Sequence, residues 1–237
     1  MRTNTRTKQR LEPEAFYNAG FKLLGERGAE ELTIDSLCVE LGVAKGSFYH
    51  HFANTAEFTT GLLAAWESTF YQAMELSMAI GDPARQLEAI WPTVLRRPHE
   101  AEAALRAWGR SNPLVSTVVR RVDQKLEQTA ADWLNSFLDD PERSRLLAWM
   151  WLSLITGMQQ RQPLDRRQIL LSTVEFFRSN VGFDLELHAD DRLTVRKVPG
   201  PDVRTAVRRS RATASARKPA ERPKSKNIMQ KSDLTVR

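Results

Sequence analysis

The amino-acid sequence predicts an all-α protein of about nine helices, with a small N-terminal three-helix unit and a larger helical domain behind it. Three observations carry that expectation. Apolar residues recur at helical spacing from Phe16 to Val181. No segment between turn signals alternates polar and apolar residues over strand length, and β-branched clusters are few. Prolines and glycines punctuate the chain where helices would start and stop.

The first helix begins near Pro13, places Phe16, Ala19, Leu23 and Leu24 on one side, and stops at Arg27-Gly28, a cation followed by a C′ glycine. Thr33 is a good N-cap for a second helix that buries Ile34, Leu37, Cys38 and Leu41. Gly42-Val43 interrupts it, and a short helix follows from about Ala44 to His51. Asn54 caps the next, with Glu57 three residues on, where its carboxylate can reach back to the cap. That long helix carries Phe58, Leu62, Trp66, Phe70 and Met74 on one stripe and ends near Gly81-Asp82-Pro83. Prolines delimit the rest. One helix runs from Pro83 towards Arg97, with Pro92 expected to kink it; others run from Pro98 to about Trp108 and from Pro113 to about Leu138. Pro141 opens a helix with Leu147, Met150, Trp151, Leu154, Ile155 and Met158 on one face. The last, near Arg166 to Val181, carries Leu170, Val174, Phe177 and Val181.

A chain of 237 residues suits one small and one medium domain, and six Trp and ten Phe suffice to anchor a core. No run of about eighteen apolar residues exists to span a membrane. The basic N-terminus lacks the apolar stretch of a secretory signal. Cys38 is the only cysteine, so an internal disulfide and a CxxC metal site are both excluded. A cytoplasmic protein, associated with the nucleoid if it binds DNA, is the expectation. The net charge of +6 is unevenly spread. Residues 190–237 carry roughly +9 and residues 1–10 about +4, leaving about −7 on the body between them. Residues 189–237 contain no Phe, Trp or Tyr and four prolines, and are expected to be a disordered basic tail. The expected division is therefore 1–53, a DNA-binding unit with a basic arm; 54–188, a helical sensing and dimerising domain; and 189–237, the tail.

The most informative stretch runs from Thr33 to Phe52. It reads as a helix, a tight glycine turn, and a short second helix. Phe48 and Phe52, four residues apart, must pack inward together. Lys45, Ser47, Tyr49 and His50 are left facing out, beside the unobstructive Gly46. A helix-turn-helix needs this division: one face fixes the recognition helix, and the other offers short polar, cationic and aromatic groups to a major groove. Thr33 and the first amides of the second helix are placed to meet a phosphate. Two adjacent residues on a helix diverge by about 100°, so His50 and His51 cannot chelate one metal ion together. Cys38, on the apolar side of its helix, reads as a buried structural thiol rather than a redox sensor.

This stretch resembles the DNA-binding segment of the tetracycline-repressor (TetR) family. The residues that carry the likeness are Thr33, Gly42, Val43, Lys45, Gly46, Ser47, Phe48, Tyr49, His51 and Phe52. The first helix and the Asn54-capped helix extend it to roughly residues 11–70, and Trp108, Asn112-Pro113 and Val122-Asp123 resemble a pattern of many sensor domains of the family. The resemblance implies a dimer that reads a palindrome in double-stranded DNA through Thr33, Lys45, Gly46, Ser47, Tyr49, His50, His51 and Thr55, and releases it on binding a small effector. Two residues depart from the family pattern: Thr55 stands where a phosphate-contacting lysine is common, and Cys38 where alanine is usual.

Trp66, Phe70, Trp91 and Trp108 fall on the helices that enclose the effector cavity in the resembled family, which implies a pocket for an apolar or aromatic small molecule; plain core packing is the alternative. The stripe of the last two helices, with Met150, Trp151, Leu154 and Met158 on one and Leu170, Val174 and Phe177 on the other, is wider than one small domain would bury. It points to a two-fold four-helix bundle between subunits. Catalysis finds no foothold: there is no HExxH, no Gly-x-Ser-x-Gly and no phosphate-cradling glycine loop, and no cofactor or metal is expected. The leading reading is a ligand-responsive regulator, usually a repressor in the resembled family. A DNA-bound scaffold of the same fold controlled by a protein partner is the alternative, and a nucleic-acid-modifying enzyme using the fold for targeting is a third.

Overall fold

The computed structural model describes residues 11–95, 97–161 and 165–197. The N-terminal arm, 1–10, and residues 198–237 of the expected tail lie outside the described residues. Nine α-helices occur among the described residues: α1 Pro13–Arg27, α2 Ile34–Leu41, α3 Lys45–Tyr49, α4 Thr55–Met78, α5 Pro83–Leu95, α6 His99–Trp108, α7 Pro113–Leu138, α8 Pro141–Gln159 and α9 Arg166–Asn180. A two-stranded antiparallel sheet, β1 Asp184–Leu187 and β2 Leu193–Lys197, follows them.

Local chemistry sets the helix ends. Gly28, at φ +86°, closes α1 by donating its N–H to the Leu24 carbonyl at 3.0 Å. Thr33 caps α2, its hydroxyl accepting from the Ser36 N–H at 3.1 Å. At Gly42 the backbone turns left-handed (φ +64°), which lets the Val43 N–H reach the Cys38 carbonyl at 2.9 Å and aims α3 away from α2. Asn54 caps α4, and Glu57 reaches back one residue beyond it: Glu57 N–H donates to Asn54 Oδ1 at 2.9 Å, and Ala53 N–H to Glu57 Oε2 at 2.6 Å. The side chains of Asn112, Asp140 and Asp165 cap α7, α8 and α9 by accepting backbone N–H bonds of the first turn.

Two apolar clusters hold these elements. The first joins Phe16, Leu24, Leu37, Phe48, Phe52, Phe58 and Trp66 to Leu105 of α6 and Val115 and Val122 of α7, so the core of the N-terminal helices runs on past residue 53 into the following domain. The second gathers Leu87 and Trp91 of α5, Leu134 of α7, Leu147 of α8 and Leu170, Val174 and Phe177 of α9. Ion pairs brace the seams. Arg106 of α6 grips Asp123 of α7 through two bonds of 2.7 and 2.8 Å, and Arg121 of α7 pairs with Glu67 of α4, which also accepts from the Tyr71 hydroxyl at 2.6 Å. The Trp108…Asn112-Pro113…Asp123 pattern thus has a local cause: a cap for α7 and a bidentate clasp to α6.

The hairpin corrects the expected start of the tail at residue 189. Leu185 pairs with Val195 and Leu187 with Leu193, and Leu185 and Leu193 are buried against the second core beside Phe183. Two ties fix it: the Val195 N–H donates to Glu88 Oε1 of α5 at 2.7 Å, and the Arg178 guanidinium of α9 to the Leu185 carbonyl at 2.9 Å. The turn at residues 188–192 uses Asp191 in the left-handed region (φ +60°) in place of glycine. Strands of four and five residues with an aspartate turn give too short an alternation to register as strand signals.

Candidate nucleic-acid interface and cavity

Phe48 and Phe52 are buried, as their spacing requires. They sit in an aromatic nest with Phe16, Tyr17 and Phe58, with ring centroids 5.1–5.8 Å apart. That nest clamps α3 onto α1 and α4 and leaves its other face outward. Tyr49 is 56% exposed, and the space beside Gly46 is open. Lys45 and His50 are exposed and Ser47 half-buried on the same short helix. Thr33 and Thr55 are exposed at the starts of α2 and α4. His51 is half-buried, its ring centroid 5.7 Å from that of Phe16, so it shares in holding α3 as well as flanking the outward face. Lys45 Nζ pairs with Asp35 Oδ1 of α2 at 2.6 Å, and this contact raises the Lys45 ammonium above its ordinary pKa. Cys38 is buried, and desolvation pushes its thiol up, away from the reactive thiolate.

A cavity of about 140 Å3 lies among α4, α5, α7 and α8. Phe70, Met74, Trp91, Trp133 and Trp151 supply much of its apolar wall. Four polar side chains form its other end. Gln159 donates from Nε2 to His99 Nδ1 at 2.8 Å and to Glu102 Oε2 at 2.9 Å, and Arg97 Nε donates to Glu102 Oε1 at 2.5 Å. The Arg97 guanidinium lies 3.2 Å over the Phe70 ring. His99, Glu102 and Gln159 are each nearly fully buried. Burial holds the His99 imidazole below its ordinary value, helped by the Arg166 and Arg97 charges and opposed by Glu102. Desolvation likewise lowers Arg97.

Of the four aromatic residues expected around a pocket, Phe70 and Trp91 line this cavity. Trp66 is fully buried in the first core, and Trp108 packs against that core; neither is among the lining residues. Trp133 and Trp151 take their place. Trp66 lies one turn before Phe70 on α4, its ring centroid 5.0 Å from that of Phe70, within the first core.

The N-terminal segment, residues 16–59, matches the profile of the bacterial regulatory proteins of the tetR family. This chain thus carries a TetR-type DNA-binding segment. It is 31% identical over 71 residues to the transcriptional regulator AcuR of Cereibacter sphaeroides, a stretch that covers 30% of this chain and 32% of that protein. The chain thus matches about a third of the length of this curated relative. Among solved structures, a transcriptional regulator from Saccharomonospora viridis in complex with choline superimposes with a TM-score of 0.59 at 16% identity, covering 71% of this chain and 96% of that one. A regulator from Rhodococcus sp. RHA1 gives 0.53 at 22% identity, covering 63% and 82%. These likenesses carry the fold: a TetR-type helix-turn-helix followed by a helical domain.

In this chain the outward apolar face of α8 and α9 differs from the residues that the sequence singled out. Leu170, Val174 and Phe177 are buried in the subunit's own second core and Trp151 packs against it, which removes them from a surface. Met150 and Leu154 are exposed, joined by Leu146, Trp149 and Leu171. The helix period explains the error. The α8 stripe is two stripes side by side, with Leu147, Ala148 and Trp151 facing in and Leu146, Trp149, Met150 and Leu154 facing out. The polar end of the cavity was also unassigned. Its signal was present in Trp151, Ile155 and Gln159, one helical face whose last member is an amide where an apolar residue would continue the stripe.

Proposed function

We propose that the protein is a ligand-responsive transcriptional regulator, acting as a repressor, that binds a palindromic operator as a homodimer and is released when a small molecule fills the cavity. The observation that carries this reading is the position of α6. Its first turn supplies His99 and Glu102 to the cavity's polar end, and the same helix packs along α1 of the DNA-reading unit. The approach is close: a Cβ placed on Gly25 of α1 would stand 3.1 Å from the Ala101 N and 3.3 Å from the Glu100 Cβ. A ligand that prefers one setting of α6 therefore biases the orientation of α1, and with it the separation of two recognition helices in a dimer. The half-open, largely apolar cavity favours a small molecule over a protein partner as the controlling agent.

Two α3 helices about one DNA turn apart would read the half-sites, Lys45, Ser47, Tyr49 and His50 facing base edges and phosphates, with Gly46 permitting close approach and Thr33, His51 and Thr55 at the flanks. The exposed stripe of Leu146, Trp149, Met150 and Leu154, with Leu171 of α9, would form the subunit contact as a four-helix bundle. No helix among the described residues is long and apolar enough to cross a membrane, and we place the protein in the cytoplasm at the nucleoid. The test is selection of an operator from random duplex DNA, followed by titration of the complex with small molecules. Saturable release by a compound that also quenches tryptophan fluorescence supports the reading; operator binding indifferent to every cavity ligand removes it.

A further inference from the structure

We infer that the cavity takes a small neutral molecule, aromatic or of similar apolar bulk, that carries a hydrogen-bond acceptor such as a carbonyl oxygen. This rests on the cavity being the effector site and narrows the effector's chemistry. Size comes first. At about 140 Å3 the cavity is comparable to an engineered apolar cavity of about 150 Å3 that accepts benzene, so it holds one ring, with a short substituent reaching its open side. The walls of Phe70, Trp91, Trp133 and Trp151 match such a ring.

The polar inventory is one-sided. Three lining side chains each hold a buried N–H without a partner: Trp91 Nε1, Trp151 Nε1 and Arg97 Nη2. Among the described residues, no lining side chain has a buried acceptor left unpartnered. An unmet buried donor is costly; each of these has almost no surface open to the cavity, so a ligand oxygen relieves that cost by drawing an indole or the guanidinium a small way inward, which a hydrocarbon does not do. Charge then selects among acceptors. Arg97 and Glu102 neutralise one another. His99 receives the Gln159 amide proton on Nδ1, so the ring sits there as a neutral acceptor. An anion would bring an unbalanced negative charge into this largely apolar cavity. A cation would meet the guanidinium and two indole N–H groups, while the Glu102 carboxylate already accepts from Arg97 and Gln159.

Four single-ring probes with equal numbers of heavy atoms test this by calorimetry on the full-length protein: acetophenone, cumene, benzoate and benzamidinium. Acetophenone should bind at least about tenfold tighter than each of the others, the cost of leaving a buried donor unmet or a buried charge unpaired. Arg97→Met and Trp151→Phe should each weaken acetophenone by about tenfold while leaving cumene within about twofold, so retained cumene binding certifies an intact chamber. Cumene binding as tightly as acetophenone, or benzoate or benzamidinium binding more tightly, overturns the inference. Operator affinity measured with each probe separates the two claims. Acetophenone preference without any change in operator binding leaves the ligand class standing and sinks the effector reading. Release by benzoate does the reverse, and no saturable heat from any probe overturns both.

Discussion

Lys45 is held by Asp35 across the α2–α3 turn, and both side chains are largely exposed. An exposed pair of this kind contributes little to stability, but its geometry bears on DNA. Asp35 places a negative charge where phosphates would approach and engages the cation that would meet them. Lys45→Ala and Tyr49→Phe should each weaken operator binding by roughly 1–3 kcal/mol with helical content unchanged. Asp35→Asn should do the opposite, tightening both operator and random DNA several-fold at low salt, with the gain shrinking as salt rises. Fluorescence anisotropy at two salt concentrations measures all three; weaker binding by Asp35→Asn would mean that the carboxylate orients Lys45 and does not compete for it. His99 gives a second expectation at this scale. Folding depresses its pKa, so as pH falls the unfolded chain takes up the proton first. Its contribution to stability is complete above the unfolded imidazole value of about 6.5 and is lost as pH drops through the lower folded value. Protonation would also set an N–H against the Gln159 amide donor. Urea midpoints should therefore fall between neutral and mildly acidic pH, and His99→Gln should flatten that slope; an unchanged slope would assign it to other groups. The outward residues of α3 were legible in the sequence because an i,i+4 aromatic pair and a glycine turn leave one solution for which face points where. The cavity quartet was not, because Arg97, His99, Glu102 and Gln159 are brought together from positions up to 62 residues apart.

Helix boundaries were legible wherever a cap was chemically specific. Thr33, Asn54, Asn112, Asp140 and Asp165 all accept backbone N–H bonds where the sequence places a helix start. Gly28 and Gly42 likewise end α1 and α2. The hairpin escaped because each strand alone is too short to signal; what stabilises it is packing of Leu185 and Leu193 on a core built elsewhere, together with the Glu88 bond. The faces of α8 show a third situation. Periodicity identified the helix but could not separate an inward from an outward stripe when both are apolar. Burial separates them, and it sharpens the choice of variant. Leu154 and Trp149 are exposed in the isolated subunit, at 36% and 56%, so a charge there leaves the subunit's own core intact. Leu154→Glu and Trp149→Glu should each give monomers by sedimentation at micromolar concentration, because association would bury an unpaired carboxylate. Phe177→Glu, by contrast, should unfold the subunit, since that ring is fully buried. A folded dimer from both surface variants would place the subunit contact on another face.

At the scale of the whole molecule, the first apolar core runs from the recognition helix through α1 and α4 into α6 and α7. The cavity sits beyond its far edge, sharing Phe70 with it. Among the described residues the N-terminal helices pack directly on α6 and α7, so the proposed coupling would pass through packed surfaces that shift as bodies. One of those surfaces is the α1–α6 contact at Gly25, where the α1 backbone closely faces the Ala101 N of α6. A methyl group there would require a few tenths of an ångström of separation, and a larger side chain more. Gly25→Ala and Gly25→Val should therefore form a graded series in one quantity. The fold and the acetophenone affinity should persist, because the cavity lining is untouched. The ratio of operator affinities without and with acetophenone should fall towards one, further for Val than for Ala, as α6 loses its grip on α1. Thermodynamic reciprocity supplies the check. If that ratio falls because coupling is lost, the effect of saturating operator DNA on acetophenone affinity must shrink by the same factor. Should both ratios stay at their original values in Gly25→Val while thermal stability drops, the contact is structural only, and the signal runs instead through α4, which spans from the Asn54 cap to Phe70 at the cavity wall.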